Sequence, residues 1–96
     1  MQEGPRYSKD LEIKYWEFPV GPTGHAKKVS SIIECTFILA GTVTGELDGH
    51  PLTLTAGDYV VIHPGTPNNL AMDVTAPVAG MTIKAPSDTV AKTILP

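Results

Sequence analysis

The chain has a single cysteine, Cys35, among its 96 residues. No intrachain disulfide can form, and a zinc site of the usual cysteine kind is excluded. Cys35 stands in an apolar run, where a lone thiol is a core residue before it is a nucleophile. Arginine is as scarce: Arg6 is the only one, which leaves no set of guanidinium forks for clamping phosphate. Basic residues are outnumbered, seven Lys+Arg against ten Asp+Glu, for a net charge of −3. Nucleic acid, whose phosphates call for a basic face, is therefore not an expected partner. No apolar run approaches the roughly 18 residues of a membrane span, so no membrane partner is expected either. The opening MQEGPRYSKD lacks the apolar core of a secretory signal, which makes the cytoplasm the expected location. A sustained 3.6-residue period is missing as well, so helices are not what fills the chain.

What is present is 42% hydrophobic residues, enough for a globular fold. A chain this short buries only about 60–65% of its unfolded surface, so its core is thin and a partner subunit would help. Residues 1–10 are polar and carry Gly4-Pro5, which reads as a flexible arm. Residues 11–96 read as one domain.

Along that domain the period is two. Leu11 to Phe18 alternates Leu11, Ile13 and Tyr15 against Glu12, Lys14, Trp16 and Phe18. Trp16 and Phe18 are expected to cover a second core or a subunit surface, ahead of stacking on a ligand. Val29 to Ala40 is a long strand whose even positions include Glu34, Thr36 and Ile38, and whose odd positions include Ile33, Cys35 and Phe37. Both faces are largely apolar, so both are expected to be covered. Gly41 to Leu47 follows, its glycines marking a bend or bulge. Asp48-Gly49 is a hairpin signal leading into Leu52 to Thr55. Later strands are Tyr59 to Ile62, Leu70 to Thr75 (ended by Pro77) and Val78 to Lys84, and Ser87-Asp88 reads as the cap of one helical turn reaching Ile94. Seven or eight short strands punctuated by turns predict an antiparallel sandwich or barrel.

The densest stretch is Ala56 to Asn69, AGDYVVIHPGTPNN. Gly57-Asp58 turns the chain, Tyr59 to Ile62 is a β-branched and aromatic strand, and Pro64-Gly65 and Pro67-Asn68 fold it back. Gly57 is followed by five residues, then His63-Pro64-Gly65, two more residues and Asn68. Upstream, Gly21 is followed by five residues, Lys27-x-Val29, four residues, Glu34, six residues and Gly41. In order and spacing these two stretches resemble the two signature motifs of the cupin family of small β-barrels. The resemblance spans Gly21 to Asn68. It departs from the family at His63, which stands in a proline slot, and at Lys27, Val29 and Asn68, which stand in histidine slots.

The resemblance implies an all-β, double-stranded antiparallel barrel of the cupin or jelly-roll type, and a homodimer. A metal-binding cupin looks for three imidazoles and a carboxylate on a divalent metal. Here only Glu34 matches: an ammonium repels a cation, a valine offers nothing, and one amide with one carboxylate is a weak site. His25 and Lys27 would enter the histidine register only through a two-residue bulge, recovering one imidazole. No metal and no other cofactor are expected.

The expected ligand-binding residues are Lys27, Glu34, Thr36 and Asn68. Lys27 lies seven residues before Glu34, so it leaves the opposite face of an unbroken strand and needs a bulge near Ser30-Ser31 to turn inward; otherwise Lys27 and Lys28 are a solvated pair. Thr36 is in step with Glu34 and could donate to it. Catalytic residues are unassigned, Glu34 and His25 being the best acid/base candidates. His50 belongs to a hairpin and is expected in solvent, and His63 is expected at the barrel rim in a structural role. Three functions stay open. The first is a metal-free module binding a small organic molecule in the barrel mouth. The second is a metal-independent enzyme, isomerase-, epimerase- or lyase-like, on a sugar or keto-acid. The third is a structural or interaction domain whose barrel is filled by side chains.

Overall fold

The computed structural model describes residues 11–85 and 92–94. The expected arm at residues 1–10 and the Ser87-Asp88 cap lie outside them. Eight strands follow one another: β1 (Glu12–Phe18), β2 (Gly21–Pro22), β3 (Lys28–Ser30), β4 (Ile33–Leu47), β5 (His50–Thr55), β6 (Tyr59–Ile62), β7 (Asn68–Ala85) and β8 (Lys92–Ile94). All pairings are antiparallel. β7 takes β1, β2, β3 and β4 as neighbours, β4 takes β5 and β6, and β8 lies on β3. The fold is the all-β jelly-roll type, and among the described residues its sheet does not close into a continuous ring.

Local chemistry explains most of these elements. Asp48 (φ 51°) and Gly49 (φ 80°) both sit at positive φ in the hairpin that puts Leu47 opposite His50, the turn whose twist suits adjoining strands. β4 runs through the boundary expected between Ala40 and Gly41. The chain breaks earlier, at the bend of Ser31-Ile32. Gly41 marks an irregularity rather than an end: the β4–β7 register shifts between Ile38 and Ala40 and again before Thr42 and Val43. The extra residue moves the inward positions from even (Glu34, Thr36, Ile38) to odd (Val43).

Pro77 does not end a strand as expected, because β7 passes through it. The register steps from Ala79 to Ala76 at this point, leaving Pro77 without a ladder partner, so its missing N–H costs no hydrogen bond. Opposite it, a Cβ on Gly41 would stand 1.9 Å from the Pro77 carbonyl oxygen, so only glycine allows the two backbones to close. Lys92–Ile94 pairs with β3 as a strand, which overturns the helical turn expected there.

The core is Ile38, Val43, Leu54, Val74 and Val78, with Trp16 and Phe18 packed against it. The expectation for β1 is thereby corrected. Trp16 and Phe18 point inward, and Leu11, Ile13 and Tyr15 are the exposed set. Gly80 makes this possible, because a Cβ there would meet the Trp16 ring at 2.3 Å. The outward positions of four neighbouring strands then form two apolar rows across the sheet. One is Ile13, Ile83, Cys35 and Val61; the other is Tyr15, Met81, Phe37 and Tyr59. At the end of this face the Tyr15 hydroxyl bonds to Glu17, which pushes the phenol above its usual pKa.

Gly41→Ala and Gly49→Ala separate conformational strain from collision. Gly49 has open space around its missing Cβ, so alanine costs only the positive φ, about 1–2 kcal/mol. Gly41→Ala adds the clash with Pro77 and is expected to cost about 3 kcal/mol or more. Thermal unfolding reads the contrast at about 4–8 °C per kcal/mol for a domain this size; equal losses would show that the two backbones can part cheaply.

Candidate functional site

A cavity of about 380 Å³ opens between the two halves of the sheet. Its position follows from strand parity. Glu34 and Thr36 on β4 stand directly opposite Lys84 and Thr82 on β7, all four on the inward face and all buried. β1 brings Trp16 in beside them, opposite Gly80. On the far side β3 brings Lys28 opposite Asn68. Ile38, Leu54 and Leu70 complete the apolar wall, and Lys14 and His25 stand at the exposed rim.

Most polar groups of the cavity satisfy one another. Trp16 Nε1 donates to Thr82 Oγ1 at 3.0 Å, and the Thr82 and Thr36 hydroxyls share a hydrogen bond of 2.9 Å, a string across three strands. Asn68 is 1% exposed and uses both ends of its amide. Its Oδ1 accepts from Lys28 Nζ at 3.2 Å, and its Nδ2 donates to the Thr66 carbonyl at 3.1 Å. Asn69 Nδ2 donates to the His25 carbonyl at 2.9 Å, and the Thr23 hydroxyl donates to the Ala71 carbonyl, which pins the loop at the rim. The His25 ring meets Phe18 edge-on at 5.0 Å, and Phe18 in turn tilts against Trp16 at 5.6 Å.

Glu34 is the exception. It is 4% exposed, and its Oε2 is buried with no hydrogen-bond partner among the described residues. Thr36, expected to donate to Glu34, gives its bond to Thr82 instead. A buried carboxylate oxygen without a donor is costly, and natural folds keep few of them.

Of the residues singled out from sequence, Glu34, Thr36, Asn68 and His25 do line one cavity. Lys27 does not. It is exposed, with its Nζ 3.6 Å from Glu46 Oε1, and Lys28 lines the cavity in its place. The correction is one of parity: Lys28 lies an even number of residues before Glu34, and the bend at Ser31-Ile32 leaves that phase intact. Val29 is outside the cavity too, and His50 and His63 are exposed away from it. Lys84 and Thr82 were not singled out, and Trp16 and Phe18, expected first as core or subunit-surface residues, line the cavity as well. Lys84 was legible only as a residue in step with Val78 and Thr82; its place opposite Glu34 depends on register between distant strands.

The residues present do not fit the metal that the resemblance implies. Among the described residues no three His, Cys, Asp or Glu side chains gather where they could hold an ion. Asn68 Oδ1, in a histidine slot, already accepts from an ammonium. Lysines in the same cavity repel a divalent cation, and one carboxylate with a distant rim imidazole is a poor donor set.

Comparison with known proteins agrees with the architecture. A family model described as "Cupin domain" matches residues 14–84. Among solved structures, the chain is similar to the DMSP lyase DddQ from Ruegeria pomeroyi DSS-3, with 25% identity and a TM-score of 0.77. The match covers 98% of this chain and 47% of that one, so the chain spans about half the length of the lyase. A nucleoside dehydratase from Streptomyces superposes with a TM-score of 0.78 at 10% identity, over 94% of this chain and 72% of that one. A conserved protein with a double-stranded β-helix domain from Klebsiella pneumoniae does so with a TM-score of 0.78 at 17% identity, over 95% and 79%. No curated protein sequence matches the chain.

Substitutions at Asn68 and Glu34 are expected to differ in their effect on stability. Asn68→Ala removes two buried bonds and is expected to cost about 2–3 kcal/mol. Glu34→Met removes a buried oxygen that has no donor among the described residues but also a carboxylate opposite Lys84, which keeps Glu12 on its other side, so it is expected to cost less than Asn68→Ala. A drop of more than about 4–8 °C in Glu34→Met would mean that the carboxylate holds the fold together.

Proposed function

The chain belongs to the cupin family, and from that premise we propose that it is a metal-free cupin which binds a small organic molecule in the mouth of its barrel. The observation that carries this reading is the orphaned Glu34 Oε2 in a cavity whose neighbouring polar groups are otherwise paired. An acceptor left open inside such a network calls for a donor from outside the chain. A cavity of about 380 Å³ speaks against a barrel filled by its own side chains and lies in the usual range of ligand pockets, about 300–1,000 Å³. Lys14, Lys28 and Lys84 line the cavity, so cationic charge reaches it without a Lewis acid. Among the described residues no helix is long and apolar enough to cross a membrane. The lone thiol of Cys35 suits a reducing, cytoplasmic setting.

A second reading is favoured by the same oxygen. Glu34, buried and with an open lone pair, is placed to take a proton from a bound sugar or keto-acid, as an isomerase-, epimerase- or lyase-like enzyme requires. His25 at the rim is the other proton carrier. The printed activities of two similar structures, a lyase and a dehydratase, are consistent with this reading and belong to those proteins.

Metal analysis and a thermal-shift screen test the proposal together. Protein purified without added metal, and again after incubation with excess nickel, iron, manganese and zinc, is expected to carry well under one equivalent. A thermal-shift screen of sugars and small acids is expected to find stabilisers, because a ligand at 100 times its Kd adds about 2.7 kcal/mol. A stoichiometric metal that is lost in Glu34→Gln overturns the metal-free reading. A screen with no stabiliser overturns the binding one.

A further inference from the structure

Charge is distributed unevenly between the cavity and the rest of the molecule. The chain has seven Lys+Arg and ten Asp+Glu. Three lysines line the cavity (Lys14, Lys28 and Lys84) against one lining carboxylate, Glu34, and Glu12 on β1 stands opposite Lys84. A cationic cavity in an acidic protein focuses its field on anions. The lysines also form a graded path, from exposed Lys14 at the rim through half-buried Lys28 to Lys84, which is 4% exposed. Lysine is almost never buried to that degree unless paired, and Lys84 stands between two carboxylates, opposite Glu12 on β1 and Glu34 on β4. Glu34 adds a second requirement, since its open oxygen accepts a hydrogen bond and offers none when ionised. Trp16 and Phe18 add a third: two rings 5.6 Å apart and tilted by 40° give an aromatic, apolar wall.

We infer that the ligand is a small organic acid that also carries a hydroxyl or amino donor. Its anionic group is met by the ammonium groups of Lys28 and Lys84, its donor bonds Glu34 Oε2, and its apolar body lies against Trp16 and Phe18. This rests on the binding reading above and narrows it to hydroxy or amino acids. Simple sugars lack the anion, simple fatty acids lack the donor, and a cation meets the wrong charge.

Calorimetry with three matched probes tests it: mandelate, which has acid, hydroxyl and ring; phenylacetate, which lacks the hydroxyl; and mandelamide, which lacks the charge. Mandelate is expected to bind at least about tenfold more tightly than either, the scale of one hydrogen bond to a charged group. Lys28→Met and Lys84→Met are each expected to weaken mandelate by about tenfold or more, and Glu34→Gln to bring it to the level of phenylacetate. Should Lys84→Met fail to fold, the wild type still decides: higher salt is expected to weaken mandelate and leave mandelamide unchanged. Mandelamide binding as tightly as mandelate, with no salt effect, overturns the acid inference and leaves the binding proposal intact. Absence of binding by all three, and by every neutral, cationic and anionic member of the wider screen, is instead the failure of the binding proposal itself.

Discussion

Strands β4 and β7 run against each other from Ile33 opposite Ala85 to Leu47 opposite Asn68, and every other strand except β8 is hydrogen-bonded to one of them. That pairing assigns each side chain to one of two environments. Residues of one parity (Glu34, Thr36, Thr82 and Lys84) meet at the cavity, and residues of the other (Cys35, Phe37, Met81 and Ile83) meet on the outer face. The side-chain period of a strand is two, so a slip of one residue would exchange the two sets completely. The register is held from both sides: Glu34 and Lys84 do not belong on an apolar surface, and Phe37 does not belong among their charges. The bulge at Gly41 resets the parity once, bringing Val43 into the core while Glu34 stays in the cavity.

Periodicity made the strands legible in the sequence, because alternation is local. The Asp48-Gly49 hairpin and the irregularity at Gly41 were legible for the same reason. Motif spacing brought Glu34, Thr36 and Asn68 to the cavity, and it failed by one residue at Lys27. Spacing fixes where along the strand a ligand slot falls, whereas alternation fixes the face. Where the two disagreed, the physical rule held and Lys28 turned inward. The faces of β1 were harder to assign, because both carry apolar residues. What decides between them is Gly80, whose missing side chain admits the Trp16 ring, and that contact joins residues 64 apart in sequence. Pro77 misled for a related reason, since its cost depends on whether a partner strand needs its N–H. The bulge opposite Gly41 removes that need.

The cavity treats its polar residues in two ways. Asn68, Thr36, Thr82 and Trp16 are hydrogen-bonded inside the chain and hold the walls in one geometry. Glu34 is set among them with an oxygen left open. An unmatched buried acceptor costs about 1–3 kcal/mol, against a total stability of about 5–15 kcal/mol for a folded domain. A chain of 96 residues with a thin core has little to spare. Packing gives no reason to keep the carboxylate, since methionine would fill the same volume without the desolvation cost. A rigid, satisfied shell around one unsatisfied group is the arrangement expected of a site organised for something that arrives from outside.

The departure from the metal-binding pattern is then more than a loss. A divalent metal held by imidazoles presents concentrated positive charge to whatever enters the barrel. In this chain Lys28 and Lys84 present positive charge to the same space, and Asn68, in a histidine slot, receives Lys28 Nζ at 3.2 Å. The sign of the field is kept while its nature changes. An ammonium offers hydrogen bonds and a point charge but no open coordination position, so it can bind and orient an anion without polarising it as a Lewis acid does. Glu34 changes character by the same step. In a metal cupin the carboxylate is a ligand with its charge matched by the ion. Here one oxygen has no partner among the described residues, which leaves it able to accept a hydrogen bond or a proton. The two proposed functions, binding and proton transfer, would draw on the same two features, the cationic wall and the open carboxylate, and they differ in how acidic the donor of an incoming molecule would have to be.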